Sequence, residues 1–438
     1  MRSKKIIEVL EESGKALKNA MNFVAVISFL LLLLISTSLD KYWSLMNVMQ
    51  IFVFISLYDT SLTVPLAIFF KYLIKIVTFE IVEMGDYFTE WFEYEDEEAM
   101  SKRFEVLSFE RKSFLVTLGF MIVVLVSILL SYLIVGLLHP CRKHLPHFLK
   151  KKVYKRLKKD IFWSAPLVFI IEGYLDICLG IVMYYHSEAG YEKSGDIIDF
   201  YMASFFTVGV IVVPIAGVFF LCANRKQIRE IENSDSDESS HSSEEKKDAD
   251  YERKKQRKKC IKRLEDFYDG LDHDNGAAVV TGKFIYLFRR GMVILLLFWR
   301  LSSNSCIPLL ILLYMQIAYT IFLAFARPYK KKFDNRIELY NETLALYMLF
   351  CMQVLNDPSK PFYQRELTGW VMLAFTGFLV FSNMVIIGYF IVKSIVKTCK
   401  KKYKKIKKKL NNEESSSSGS KSKSFSQSIL DHSHITAK

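Results

Sequence analysis

Long apolar runs separated by short charged segments dominate the pattern of this chain. They lie at about Asn22–Ser38, Ser44–Leu62, Ser113–Leu138, Phe162–Tyr185, Ile197–Ala223, Phe284–Arg300, Ile307–Ala326, Glu338–Leu355 and Thr368–Val392. Each comes near the roughly 20 residues a helix needs to cross the hydrocarbon core of a bilayer. The pattern predicts an all-α polytopic membrane protein of about nine transmembrane helices. The first two runs are so close that they predict a tight helical hairpin. Pro65 is expected to kink or end the second helix, because proline cannot donate to the helical ladder. Beyond it, Leu66–Phe79 carries Lys71 and Lys75 one turn apart, which suits a helix leaving the membrane or lying on it.

The fourth run differs from the others in carrying Glu172 and Asp176 near its middle. An ionisable side chain at that depth costs at least about 2.5 to 3.5 kcal/mol, so two of them need a partner, a water-filled path or a bound cation. Four residues apart in a helix, they would share a face about 6 Å apart along the axis. A polar contact between helices, a cation or proton site, or a misplaced span would each account for them.

Charge then orients the spans. Residues His139 to Ile161 hold nine Lys/Arg and no Glu, Arg327–Arg336 is basic, and nine lysines fall between Lys397 and Lys409. Such clusters mark cytosolic segments. Residues 80–98 hold nine acids and no base. They read as a solvated extracytosolic loop or as a vestibule that concentrates cations. Nine spans with a cytosolic C-terminus put the N-terminus outside. The alternative keeps it inside, with Trp43–Phe79 entering and leaving on one side, for ten membrane passes. The resulting organisation is an amphipathic segment 1–21, transmembrane helices 1–5 over 22–223, a charged and partly disordered cytosolic loop 224–283, helices 6–9 over 284–392, and a polybasic, serine-rich disordered tail 393–438.

A net charge of +13 in a chain with 51% hydrophobic residues does not imply nucleic acid, since the bases sit beside apolar spans. They point to anionic inner-leaflet lipid, with Lys150, Lys151, Lys152, Lys400, Lys401 and Lys402 as binding candidates. Permeant cations and a homo-oligomeric assembly are admitted as further partners. The membrane is that of the cell surface or of an internal organelle. Seven scattered cysteines without CxxC spacing indicate neither a disulfide framework nor a zinc site.

Counting rise from the cytosolic ends of the runs puts Arg289 and Arg290 about 8 to 9 Å inside the sixth span, and Glu338 and Glu342 within about 6 Å in the eighth. The match predicts a buried ion pair between Arg289 or Arg290 and Glu342, or else arginines bound to lipid phosphate. Asp176, Asp59 and Glu172 fall deeper, at about 21, 22 and 15 Å. An arginine between the two acids of the fourth span would remove most of the case for a cation site there. Asn47 and Gln50 read as shallow polar contacts between helices, and Gln316 and Asn383 as lone ones.

Catalytic patterns are missing from the sequence: it has no HExxH, no GxSxG and no clustered His/Cys set. Residues 276–283 fail the phosphate-loop spacing, and His273 breaks the register of a calcium loop. No enzyme, cofactor or metal site is expected.

Several short patterns follow one another in order: Trp43-Ser44-Leu45-Met46-Asn47-Val48-Met49-Gln50, Pro65, Phe69-Phe70, Glu172-Gly173-Tyr174-Leu175-Asp176, Phe288-Arg289-Arg290, Arg327-Pro328-Tyr329 and Asn341-Glu342. The series resembles the multi-span transmembrane module of large protist surface proteins, which is similar in layout to fungal TRP-like proteins. Tyr329 stands where Phe is commoner, and the cysteine-rich repeats that often precede the module are absent from this sequence. The resemblance implies cation permeation or its regulation. The leading expectation is therefore a TRP-like cation channel or channel-regulating membrane protein, with Glu172, Asp176 and Asp59 along the ion path. The alternatives are a proton- or sodium-coupled secondary transporter and a non-conducting scaffold or accessory subunit.

Overall fold

The computed structural model of the chain describes residues 8–9, 11–12, 15–16, 39–58, 62–77, 84–94, 99–107, 109, 111–141, 165–187, 192–236, 261, 268, 270–272, 277–303 and 306–433. It is all-helical over these residues, apart from an isolated antiparallel bridge between Leu271 and Tyr329. In chain order the helices are α1 (Leu39–Ser56), α2 (Val64–Val77), α3 (Met84–Trp91), α4 (Lys102–Val106), α5 (Phe114–Leu118), α6 (Phe120–Cys141), α7 (Ala165–Glu172), α8 (Tyr174–Tyr185), α9 (Ser194–Ser236), α10 (Ala277–Ser303), α11 (Ile307–Ala326), α12 (Lys332–Leu355) and α13 (Phe362–Ser433). Two compact units result, one of Met1–Val26 and Trp43–Val380 and one of Ile27–Tyr42 and Phe381–Lys438.

Among the described residues, three helical stretches are long and apolar enough to cross a membrane: Ser194–Ile231, Ile307–Ala326 and Phe362–Phe390. Asn47–Ser56, Met121–Leu137 and Tyr174–Tyr185 are shorter apolar helices. The expected seventh span coincides with α11. Its ends have local causes: Pro308 sits in the first turn, where no N–H is needed, and Arg327 takes a left-handed cap (φ 44°) before Pro328. The first expected span lies outside the described residues.

Several boundaries differ from expectation. α1 already ends at Ser56, and Pro65 opens α2 instead of kinking the helix before it. Proline at a first turn leaves the ladder intact. The third expected span is divided at Gly119, whose backbone (φ 44°, ψ −114°) a side-chain-bearing residue rarely adopts. The fourth is divided at Gly173. Part of the acidic stretch is folded: α3 buries Phe88, and Glu93 accepts the Gly195 N–H at 2.8 Å and pairs with Lys193. The tail expected to be disordered continues the α13 helix to Ser433.

α8 is the central element of the larger unit. Residues Tyr174 through Ile181 and Met183 are buried, with α5, α7, α9 and α10 packed around them. Its core partners include Phe88 of α3, Phe114 and Leu118 of α5, Met121 of α6, Phe169 of α7 and Phe206 of α9. α9 does the reverse with its apolar surface: Phe205, Val208, Ile211, Val212 and Phe219 are exposed. So large an exposed apolar stripe fits a lipid environment.

Asp199 ties these helices together. Its buried carboxylate accepts the N–H of Phe114 at 2.8 Å and of Leu115 at 3.0 Å, while the Ser113 hydroxyl takes that of Val116 at 3.2 Å. The orphan donors of the first turn of α5 are thereby satisfied by a negative charge at the favourable end of the helix. Replacing Asp199 by Ala should strand two buried amides at roughly 1 to 3 kcal/mol each. Thermal unfolding in detergent measures this, and an Asp199→Asn variant, which keeps one acceptor oxygen, should lose less.

Candidate functional site

Consecutive residues on a helix do not face the same way, and α10 uses this to send Arg289 and Arg290 to different partners. Arg289 reaches α12, where Nη1 and Nη2 grip Oε2 and Oε1 of Glu342, the latter at 2.7 Å. Gln316 of α11 completes the group: its Oε1 accepts from Arg289 Nη1 at 3.1 Å, and its Nε2 donates to Glu342 Oε2 at 2.7 Å. The Tyr319 ring lies 4.0 Å below the guanidinium. Two-point pairing with a carboxylate is the geometry guanidinium suits best. Glu338, the other pairing candidate, is buried one turn before Glu342.

Arg290, fully buried, turns toward the broken fourth span. Nη1 donates to the backbone carbonyls of Ile171 at 3.2 Å and Glu172 at 3.3 Å. Nη2 donates to Asn47 Oδ1 and, at 3.0 Å, to Gln50 Oε1. The Tyr286 ring lies 4.6 Å from Cζ. The last carbonyls of a helix have no partner within it. Here the end of α7 gives two of them to a cation, the sign of charge the helix dipole favours there. Gly173 makes the break compact, since a Cβ on it would come within 2.8 Å of the Phe169 carbonyl and collide with Met121.

Gln50 relays this arrangement to Asp176. Its Nε2 donates to Asp176 Oδ2 at 3.0 Å. Asp176 is 3% exposed, and its other oxygen, Oδ1, is buried without a hydrogen-bond partner. Glu172, half-buried on the other side of the break, likewise keeps Oε2 buried and unpartnered.

Of the expected site residues, Arg289 and Glu342 meet as an ion pair. Arg290 does not join them, so of the two candidates Arg289 is the one that pairs with Glu342. The cause is direction, not depth: the two arginines differ by only about 1.5 Å in rise but by about 100° around α10, so Arg290 faces the carbonyls of Ile171 and Glu172. The two acids do not share one uninterrupted helix, because Gly173 separates them. Asn47 and Gln50, expected to be shallow contacts, are acceptors for a buried arginine. Gln316, expected to stand alone, belongs to the Arg289 group. Lys400 is exposed on α13, while Asp59, Lys150, Lys151 and Lys152 and the side chains of Lys401 and Lys402 lie outside the described residues. Asp199 was missed, and Ser113 as a helix cap was the available signal. Among the described residues no group of three or more His, Cys, Asp or Glu is arranged to hold a metal.

No family model, curated protein or solved structure matches the chain. Asn47 and Gln50 of α1, Glu172 and Asp176 on either side of Gly173, and Arg290 of α10 are linked in one hydrogen-bonded group, and Arg289 joins α10 to Glu342.

Removing one partner of the Arg289–Glu342 pair leaves a buried uncompensated charge. Glu342→Gln should therefore cost about 3 to 5 kcal/mol, whereas an Arg289→Met/Glu342→Leu double variant should recover most of the loss. A double-mutant cycle of unfolding in detergent measures both.

Proposed function

We propose that the chain is a nine-span membrane protein, N-terminus outside and C-terminus cytosolic, that passes cations or regulates their passage in the manner of a TRP-like channel. The observation that carries this reading is the pair of buried, unpartnered carboxylate oxygens, Glu172 Oε2 and Asp176 Oδ1, on either side of a helix break. Ionisable side chains in a membrane interior mark ion or proton pathways. Arg290 makes no direct bond to either carboxylate: its bonds go to backbone carbonyls, Asn47 and Gln50. The exposed apolar stripe of α9 supports the membrane setting, and the basic clusters support contact with anionic inner-leaflet lipid.

A coupled secondary transporter is the second reading. It is favoured by the division of the fourth span at Gly173, since discontinuous helices near the bilayer midplane form substrate and coupling-ion sites in transporters.

Purified protein in planar bilayers is expected to carry a cation-selective current that the Glu172→Gln/Asp176→Asn double variant reduces at least severalfold. An unchanged current in that variant removes both residues from the path, and gradient-driven, saturable uptake without single-channel steps decides for the transporter. Topology has its own check. Epitope tags placed between 187 and 192 and between 237 and 260 should be reached from opposite sides of the membrane; labelling of both from one side overturns the nine-span arrangement.

A further inference from the structure

We infer that the ligand of the Glu172–Asp176 site is a proton, bound at Asp176 Oδ1, and not a metal cation; this rests on the reading of that site as a cation site. Metal ions in broken-helix sites are held largely by the carbonyl oxygens that the break frees. In this chain the carbonyls of Ile171 and Glu172 are occupied by the Arg290 guanidinium, which sits where the metal would. A sodium or calcium ion there would face a resident positive charge. It would also lack ligands, since calcium alone takes six to eight oxygens and no metal-holding group of three acidic, His or Cys residues occurs among the described residues.

The amide of Gln50 identifies the oxygen that takes the proton. Arginine can only donate, so Gln50 must turn Oε1 to Arg290 and Nε2 to Asp176. Asp176 Oδ2 is thereby held as an acceptor in either charge state. A proton taken from the aqueous phase forms its O–H bond at Oδ1, the oxygen without a partner, and leaves a neutral acid. The ionisable and charged groups around it are Glu172 from α7, Arg290 and Tyr286 from α10, and Tyr174 and Cys178 from its own helix; Gln50 is the polar group from α1. Tyr174 is engaged with the Val210 carbonyl of α9 at 3.2 Å. Protonation removes a negative charge beside Gln50 and Arg290, so the helix break itself senses the proton.

Infrared difference spectra of the full-length protein in liposomes, recorded between alkaline and acidic pH, test this without requiring transport. The expected result is a protonated-carboxyl C=O band that appears on acidification. It should shift when aspartate is labelled with carbon-13, vanish in Asp176→Asn, and be unaffected by sodium or calcium at fixed pH. If Asp176→Asn does not fold, Asp176→Glu in aspartate-labelled protein serves instead: the band should persist but lose its label shift. A band that survives Asp176→Asn, that ignores the label, or that never forms overturns the proposal. Carboxylate bands that respond to sodium or calcium in the wild type and not in Asp176→Asn overturn it in favour of a metal. Absence of any current or flux alongside the expected band would instead fell the functional reading and leave the proton site standing.

Discussion

The arrangement of the larger unit depends on the contact between the Arg290 guanidinium and the last carbonyls of α7. Burying a polar backbone group without a partner costs about 1 to 3 kcal/mol, so a helix that stops in the interior needs donors at its C-terminal end. A buried arginine equally needs acceptors. Each feature supplies what the other lacks, and neither would be stable alone. Because Asn47 and Gln50 accept from the same guanidinium, the contact also sets α1 against α7, α8 and α10, segments more than a hundred residues apart in the chain.

Arg289 extends the same logic to α11 and α12. One turn of α10 thus carries two cations that point about 100° apart, each to its own polar group. The groups differ in kind. Around Arg289 a carboxylate takes both forks of the guanidinium, and the Gln316 amide closes the ring, so charge is matched in place. Lysine could supply the charge at either position, but not two parallel forks.

Where the chain is apolar was legible in its sequence; where its helices stop was not. The apolar run at Ile307–Ala326 predicted α11 because burial, hydropathy and capping residues agree there. The break at Gly173 stayed hidden because glycine inside an apolar run is common in membrane helices, and its cause is an arginine 117 positions later. Depth arithmetic brought both arginines level with Glu342 but could not say which faces it, because adjacent residues differ by only about 1.5 Å in rise and about 100° in direction. Hydropathy begins a span where charges stop, whereas the helices α10 and α12 begin earlier, in polar sequence that hydropathy does not count. Asp199 left only an indirect trace, Ser113 as a helix cap, because its own partners are backbone amides, which leave no mark on side-chain composition.

The arginine beside the fourth-span acids would ordinarily argue that they are simply neutralised. The distribution of donors argues otherwise. Of the five N–H groups of a guanidinium, those on both Nη atoms of Arg290 go to neutral oxygens, and its Nε is buried without a partner. Asp176 meets the cation only through Gln50, and the Glu172 carboxylate contributes its backbone, not its charge, to the contact. One positive charge therefore stands near two carboxylates and pairs directly with neither. One residue earlier the same helix makes a direct pair, Arg289 with Glu342.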